Sequence, residues 1–211
     1  MSLYKQYSYY INALIEAGRF LFEQGWCPAT SSNYSMLLPD RTVLITVSGK
    51  HKGRLATNDF LRVDAAGTPV ETKLRPSAET LLHTQLYSAK SDINVVLHTH
   101  SINTTVLSRL VTTDEIRFEG YEMQKAFPGI STHESTVTMP IFENSQDIAA
   151  LADKVHSYLA SNPSTPAYFI RGHGMYTWGV DMEACLRHVE ATEFLVACEL
   201  EMRRIKANEV K

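Results

Sequence analysis

Residues 167–179 read AYFIRGHGMYTWG, two apolar runs separated by a glycine-flanked corner. Parallel strands need a crossover of about a dozen residues or more, so runs this close pair antiparallel. FLRVDAAGTPVE (60–71) has the same form: a strand, a Gly-containing turn and a second strand. RTVLITV (41–47), INVVLHTH (93–100), EIRFEG (115–120) and TVTMPIF (136–142) are further short extended runs. Between them lie segments of helical periodicity. Residues 3–24 repeat Tyr7, Ile11, Leu14, Ile15, Gly18 and Phe22 every three or four positions, with Gly25 placed to end the helix.

RPSAETLLHTQLYSA (75–89) predicts a helix with Ser77 as N-cap, Glu79 in its first turn, and Leu81, Leu82 and Leu86 as its buried stripe. SINTTVLSRL (101–110) predicts a second, Ile148 to Leu159 a third, and residues 181–206 the longest. CPATSSNYS (27–35) reads as a polar loop. The expectation is one layered α/β domain over residues 1–211, its sheet largely antiparallel or mixed.

The 211 residues suit a single core, and 44% hydrophobic with 20% charged residues is the balance of a globular chain. A formal charge of −3 gives no field that attracts nucleic acid or an anionic membrane. No apolar run approaches the roughly 20 residues that span a bilayer, and MSLYKQYSYYINAL lacks the pattern of a signal peptide. Cys27, Cys185 and Cys198 form no CxxC and cannot all pair, which fits a reducing compartment and predicts a cytoplasmic protein.

Side chains alternate along a strand, so His98 and His100 face the same way and could chelate one ion. A strand end whose histidines bond to backbone or water would read the same. His173, between Gly172 and Gly174, lies where a backbone corner could approach an ion closely, although a plain turn has the same composition. Three imidazoles with an open position suit Zn²⁺, and other divalent ions accept nitrogen ligands. Glu79 suits the start of a helix on dipole grounds alone and is the fourth candidate. TSSN (30–33) and VSGKHKG (47–53), with Lys50 and Lys52, offer hydroxyls and backbone N–H groups that could hold an anion or simply make turns. The second is not a phosphate-binding P-loop, because Leu44 and His51 break that pattern. HESTV (133–137) is not HExxH, because Val137 replaces the second histidine.

Together TSSNYS, TVSGKHKGRL, RPSAETLLHTQLY, VVLHTHS and RGHG, with 19 residues from Glu79 to His98, resemble the class II aldolase family of zinc enzymes. That family includes fuculose-phosphate aldolase and ribulose-phosphate 4-epimerase. The resemblance implies a three-layer αβα sandwich with a central, mostly antiparallel sheet, assembled as a homotetramer with sites at subunit interfaces. It implies one zinc per subunit on His98, His100 and His173, and a sugar-phosphate substrate whose phosphate lies near Asn33, Ser48, Gly49 and Ser77. Glu79 matches a catalytic glutamate that can also approach the zinc.

FEGYEMQKAF (118–127) and HESTVTMPIFENSQDI (133–148) resemble the methylthioribulose-1-phosphate dehydratase branch, which serves methionine salvage. In that branch the glutamate matching Glu122 is the acid/base, whereas the aldolases use the Glu79-type residue and a C-terminal tyrosine. Without the resemblance, Glu122 reads as a solvated carboxylate on a short helix. The alternatives are an aldolase or 4-epimerase, or an interaction module that keeps the fold without the chemistry. Such a module would be expected to lose its ligands.

Overall fold

The computed structural model describes residues 3–209. The chain runs α1 (Leu3–Glu23), β1 (Asn33–Leu37), β2 (Val43–Thr46), β3 (Phe60–Val63), β4 (Pro69–Val70), α2 (Thr80–Ala89), β5 (Val95–Thr99) and α3 (Ile102–Leu110). It continues through β6 (Glu115–Phe118), β7 (Val137–Phe142), α4 (Ile148–Ser161), β8 (Ala167–Ile170), β9 (Gly174–Gly179) and α5 (Met182–Glu209). The strands form one sheet in the order β4-β3-β2-β1-β5-β9-β8-β7-β6. Among the described residues, neighbours pair antiparallel except β7 with β8, which α4 connects. The short links of β3–β4 and β8–β9 are the antiparallel hairpins that the sequence requires.

Strand alternation divides the core in two. Leu44, Val95, Leu97 and Phe169 face one side and pack with Ile11 and Leu14 of α1, Leu107 of α3 and Val189 of α5. Val43, Ile45, Val96, Tyr168 and Ile170 face the other and pack with Leu82 and Leu86 of α2 and Val155 and Leu159 of α4. The result is a helix–sheet–helix sandwich with α1, α3 and α5 on one face and α2 and α4 on the other.

Two local expectations change. Residues 33–37, read in part as loop, form β1 at the centre of the sheet, because Asn33 and Ser35 turn their polar side chains toward α2 while Tyr34 and Met36 enter the opposite core. Ser77 is not the cap of α2, and Glu79 is not inside its first turn. Pro76 bridges to Val47 and keeps the chain extended there. Ser77 then closes a turn, its carbonyl accepting from the Thr80 N–H at 3.2 Å, and Glu79 takes the N-cap position.

Gly174 begins β9 against the end of β5. A Cβ there would lie 2.0 Å from the Thr99 carbonyl oxygen, a backbone atom with no freedom to move aside. Gly174→Ala is therefore expected to destabilise the fold by about 3 kcal/mol or more, measured by denaturant unfolding. A variant within about 0.5 kcal/mol of wild type would contradict this close approach.

Candidate metal centre

The register of three adjacent strands builds the site. β1 sets Asn33 opposite His98, and β9 sets Tyr176 opposite His98, so the three side chains stand in one row on the α2 face. His98 is fully buried. Its Nδ1 lies 2.8 Å from the Met175 carbonyl, which can only accept, so Nδ1 carries the proton and Nε2 keeps its lone pair. A backbone carbonyl behind the imidazole is the usual way in which a metal-binding histidine is oriented. One face of the ring stacks on Tyr176 with centroids 4.0 Å apart, and Tyr176 stacks on Tyr168 at 4.9 Å.

His100 follows directly after β5, held by its N–H to the Trp26 carbonyl at 2.8 Å. Its Nε2 is buried without a partner. His173 sits in the β8–β9 corner, where Gly172 takes a left-handed φ of 66°. Its N–H donates to the Ile170 carbonyl at 3.0 Å, and its own carbonyl accepts from the Thr105 hydroxyl at 3.1 Å. Glu79 enters from the start of α2.

The four side chains converge. His98 Nε2 lies 3.3 Å from His173 Nε2 and 3.4 Å from Glu79 Oε2, while Glu79 Oε1 lies 3.2 Å from His173 Nε2. One donor atom from each of Glu79, His98, His100 and His173 lies within 4.8 Å of the other three. Tetrahedral zinc with bonds of about 2.0–2.1 Å separates its nitrogen ligands by about 3.3 Å, so the donors fit such an ion with small adjustments. Burial holds His98 well below its ordinary pKa, with His173 adding to the effect. Burial, helped by the neighbouring His98 and His173, pushes His100 down to about 2. Both rings are thus neutral at pH 7, the state in which imidazole ligates. This is a Glu–His–His–His cluster that could hold a metal.

Of the other residues singled out in the sequence, Asn33 and Ser77 join this cluster. The Asn33 amide donates to Glu79 Oε2 at 2.8 Å and to Ser77 Oγ at 3.2 Å. Ser48 and Gly49 lie on the neighbouring loop. The Ser48 N–H is already given to the Arg75 carbonyl at 3.1 Å, while Gly49 has open space around it and a φ of 75°. Lys52 does not project toward solvent. It is 1% exposed and donates to the carbonyls of Thr30 and Lys50, tying together the two polar loops. Burial lowers its pKa to about 8.

Glu122 stands apart from the cluster. Its side chain is 71% exposed and pairs with Lys125, whose hydrogen bond holds its carboxyl below the ordinary value, and with His133 at 3.7 Å. His83, Ser35, Tyr87 and Tyr176 support the cluster but were not singled out from the sequence. The available signal for His83 was its place four residues after Glu79 on one helix.

The sequence matches the family described as Class II Aldolase and Adducin N-terminal domain over residues 12–200. The chain belongs to this family. It is similar to a protein named methylthioribulose-1-phosphate dehydratase from Pseudomonas syringae pv. syringae, 59% identical over 91% of this chain and 94% of that one. A protein of the same name from Azotobacter vinelandii is 58% identical over 92% and 94% of the two chains. Among solved structures, L-fuculose-1-phosphate aldolase from Thermus thermophilus superposes with a TM-score of 0.76 at 24% identity, covering 93% of this chain and 95% of that one. A second L-fuculose 1-phosphate aldolase reaches 0.78 at 21% identity, covering 94% and 88%. At such identities these structures establish the class II aldolase fold alone.

With Zn²⁺ supplied, His100→Ala is expected to retain less metal than wild type after dialysis against a chelating buffer. Metal analysis showing unchanged stoichiometry would remove His100 from the donor set.

Proposed function

We propose that this chain is a zinc-dependent dehydratase, converting 5-methylthioribulose 1-phosphate to 2,3-diketo-5-methylthiopentyl 1-phosphate and water in methionine salvage. The observation that carries the reading is the donor cluster of Glu79, His98, His100 and His173. It occurs in a chain 59% identical to a protein named methylthioribulose-1-phosphate dehydratase. Residues 1–211 act as one catalytic unit, in a cytoplasmic homotetramer with one zinc per subunit. Among the described residues no helix is long and apolar enough to cross a membrane.

His98, His100 and His173 would hold the zinc, with Glu79 beside them. When bound, the ion supplies a Lewis acid for the negative charge that develops on the C2 oxygen. Asn33, Ser48, Gly49 and Ser77 receive the phosphate, with the buried Lys52 ammonium holding the loops around it. Glu122 takes the proton from C3. The charge on the C2 oxygen then re-forms the C2 carbonyl, the electron pair from C3 becomes a C3–C4 double bond as the C4–O bond breaks, and Glu122 returns its proton to the departing hydroxyl to make water. The remaining enol ketonises to the 2,3-diketone. The exposure of Glu122 suits a role at a subunit boundary of the proposed tetramer.

General acid–base catalysis contributes about 10²–10⁴-fold. Glu122→Gln is therefore expected to keep its zinc and lose turnover by roughly that factor, and near wild-type turnover would remove Glu122 from this role. Product analysis tests the reaction itself. A dehydratase yields one diketone phosphate, whereas an aldolase working through Glu79 breaks the C3–C4 bond and yields two fragments.

A further inference from the structure

We propose that His83 is the positioning residue that fixes Glu79 in the metal centre, acting through the amide of Asn33. The inference rests on the reading of the cluster as a zinc site. His83 lies one turn after Glu79 on α2 and is fully buried. A continuous set of polar contacts runs through it. Tyr87 Oη meets Ser35 Oγ at 2.8 Å, and Ser35 Oγ meets His83 Nδ1 at 2.7 Å. His83 Nε2 meets Asn33 Oδ1, and Asn33 Nδ2 meets Glu79 Oε2 at 2.8 Å.

The chemistry of each group sets the direction of the whole chain. A carboxylate accepts only, so Asn33 turns its NH₂ toward Glu79 and its carbonyl oxygen toward His83. His83 must then donate from Nε2. The neutral ring has only Nδ1 left as acceptor, so the Ser35 hydroxyl donates to it and in turn accepts from Tyr87. Every member has one workable orientation.

An asparagine without that neighbour can turn by half a rotation and present its oxygen to the carboxylate, which repels it. The His83 N–H excludes this state. The same amide donates to Ser77 at 3.2 Å, so its orientation also sets the hydrogen bonding of a residue assigned to the phosphate. His83 packs its ring edge against Tyr176 as well, at 5.5 Å. A packing role alone would make shape, not donor chemistry, the property that matters.

The test is zinc affinity of the full-length chain, measured by competition with a chromophoric chelator. His83→Leu, which fills the space without a donor, is expected to weaken zinc binding roughly 10–100-fold, the usual cost of losing a group behind a ligand. His83→Gln, whose amide can present an N–H to Asn33, should recover most of that loss. If His83 acts through Asn33, the double variant His83→Leu/Asn33→Ala binds zinc no more weakly than Asn33→Ala alone.

Affinity of His83→Leu within about twofold of wild type, or losses that multiply in the double variant, would overturn the assignment. A wild-type chain that binds no zinc overturns it together with the metal centre. A chain that binds zinc but does not dehydrate the sugar phosphate overturns the reaction alone, because the titration needs no substrate.

Discussion

Antiparallel pairing of β5 with β1 and β9 puts Asn33, His98 and Tyr176 in one row, and the remaining site is assembled on that row. A slip of one residue in either pairing would carry the row's partners to the opposite face of the sheet. The register is held by the apolar residues beneath it. Val95 and Leu97 enter one core and Val96 the other, so His98 inherits its direction from packing further along the strand. Gly174 completes the frame by letting β9 start directly against the end of β5, which brings His173 over His98.

Burial then has two consequences for these side chains. Taking imidazoles out of water favours their neutral form, which keeps His98 and His100 available as ligands. It also leaves polar atoms in need of partners. The His100 Nε2 has none among the described residues, and the His98 and His173 Nε2 atoms lie against each other. A divalent cation would satisfy all of these lone pairs at once and balance the Glu79 carboxylate. The Met175 carbonyl and the Asn33 amide hold two of the donors from behind, so the site is shaped before an ion enters.

The donor cluster was partly legible in the sequence because strand periodicity is simple. VVLHTH fixes two imidazoles on one face, and RGHG between two apolar runs marks a tight corner. The layered fold was legible for the same reason, since the five-residue link of β3–β4 and the three-residue link of β8–β9 force antiparallel hairpins. β1 was obscured because its residues facing α2 are Asn33 and Ser35, polar groups that belong to a buried network and resemble a loop when read alone. The start of α2 was misplaced because the Val47–Pro76 bridge, a long-range contact, decides where the helix can begin. Lys52 was read as part of a loop that could hold an anion or simply turn, and its ammonium is drawn inward by the carbonyls of Thr30 and Lys50. Glu122 carried no local signal, and its proposed role rests on resemblance to the dehydratase branch alone.

The central claim is that one zinc ion per chain, held by this cluster, is what makes the protein a catalyst. It is tested most directly by stripping the protein of metal, returning Zn²⁺ in measured fractions, and following turnover of methylthioribulose 1-phosphate. The account predicts no turnover in the stripped chain, then a linear rise that stops at one equivalent. Full turnover in the stripped chain, or a rise that continues well past one equivalent, would contradict it.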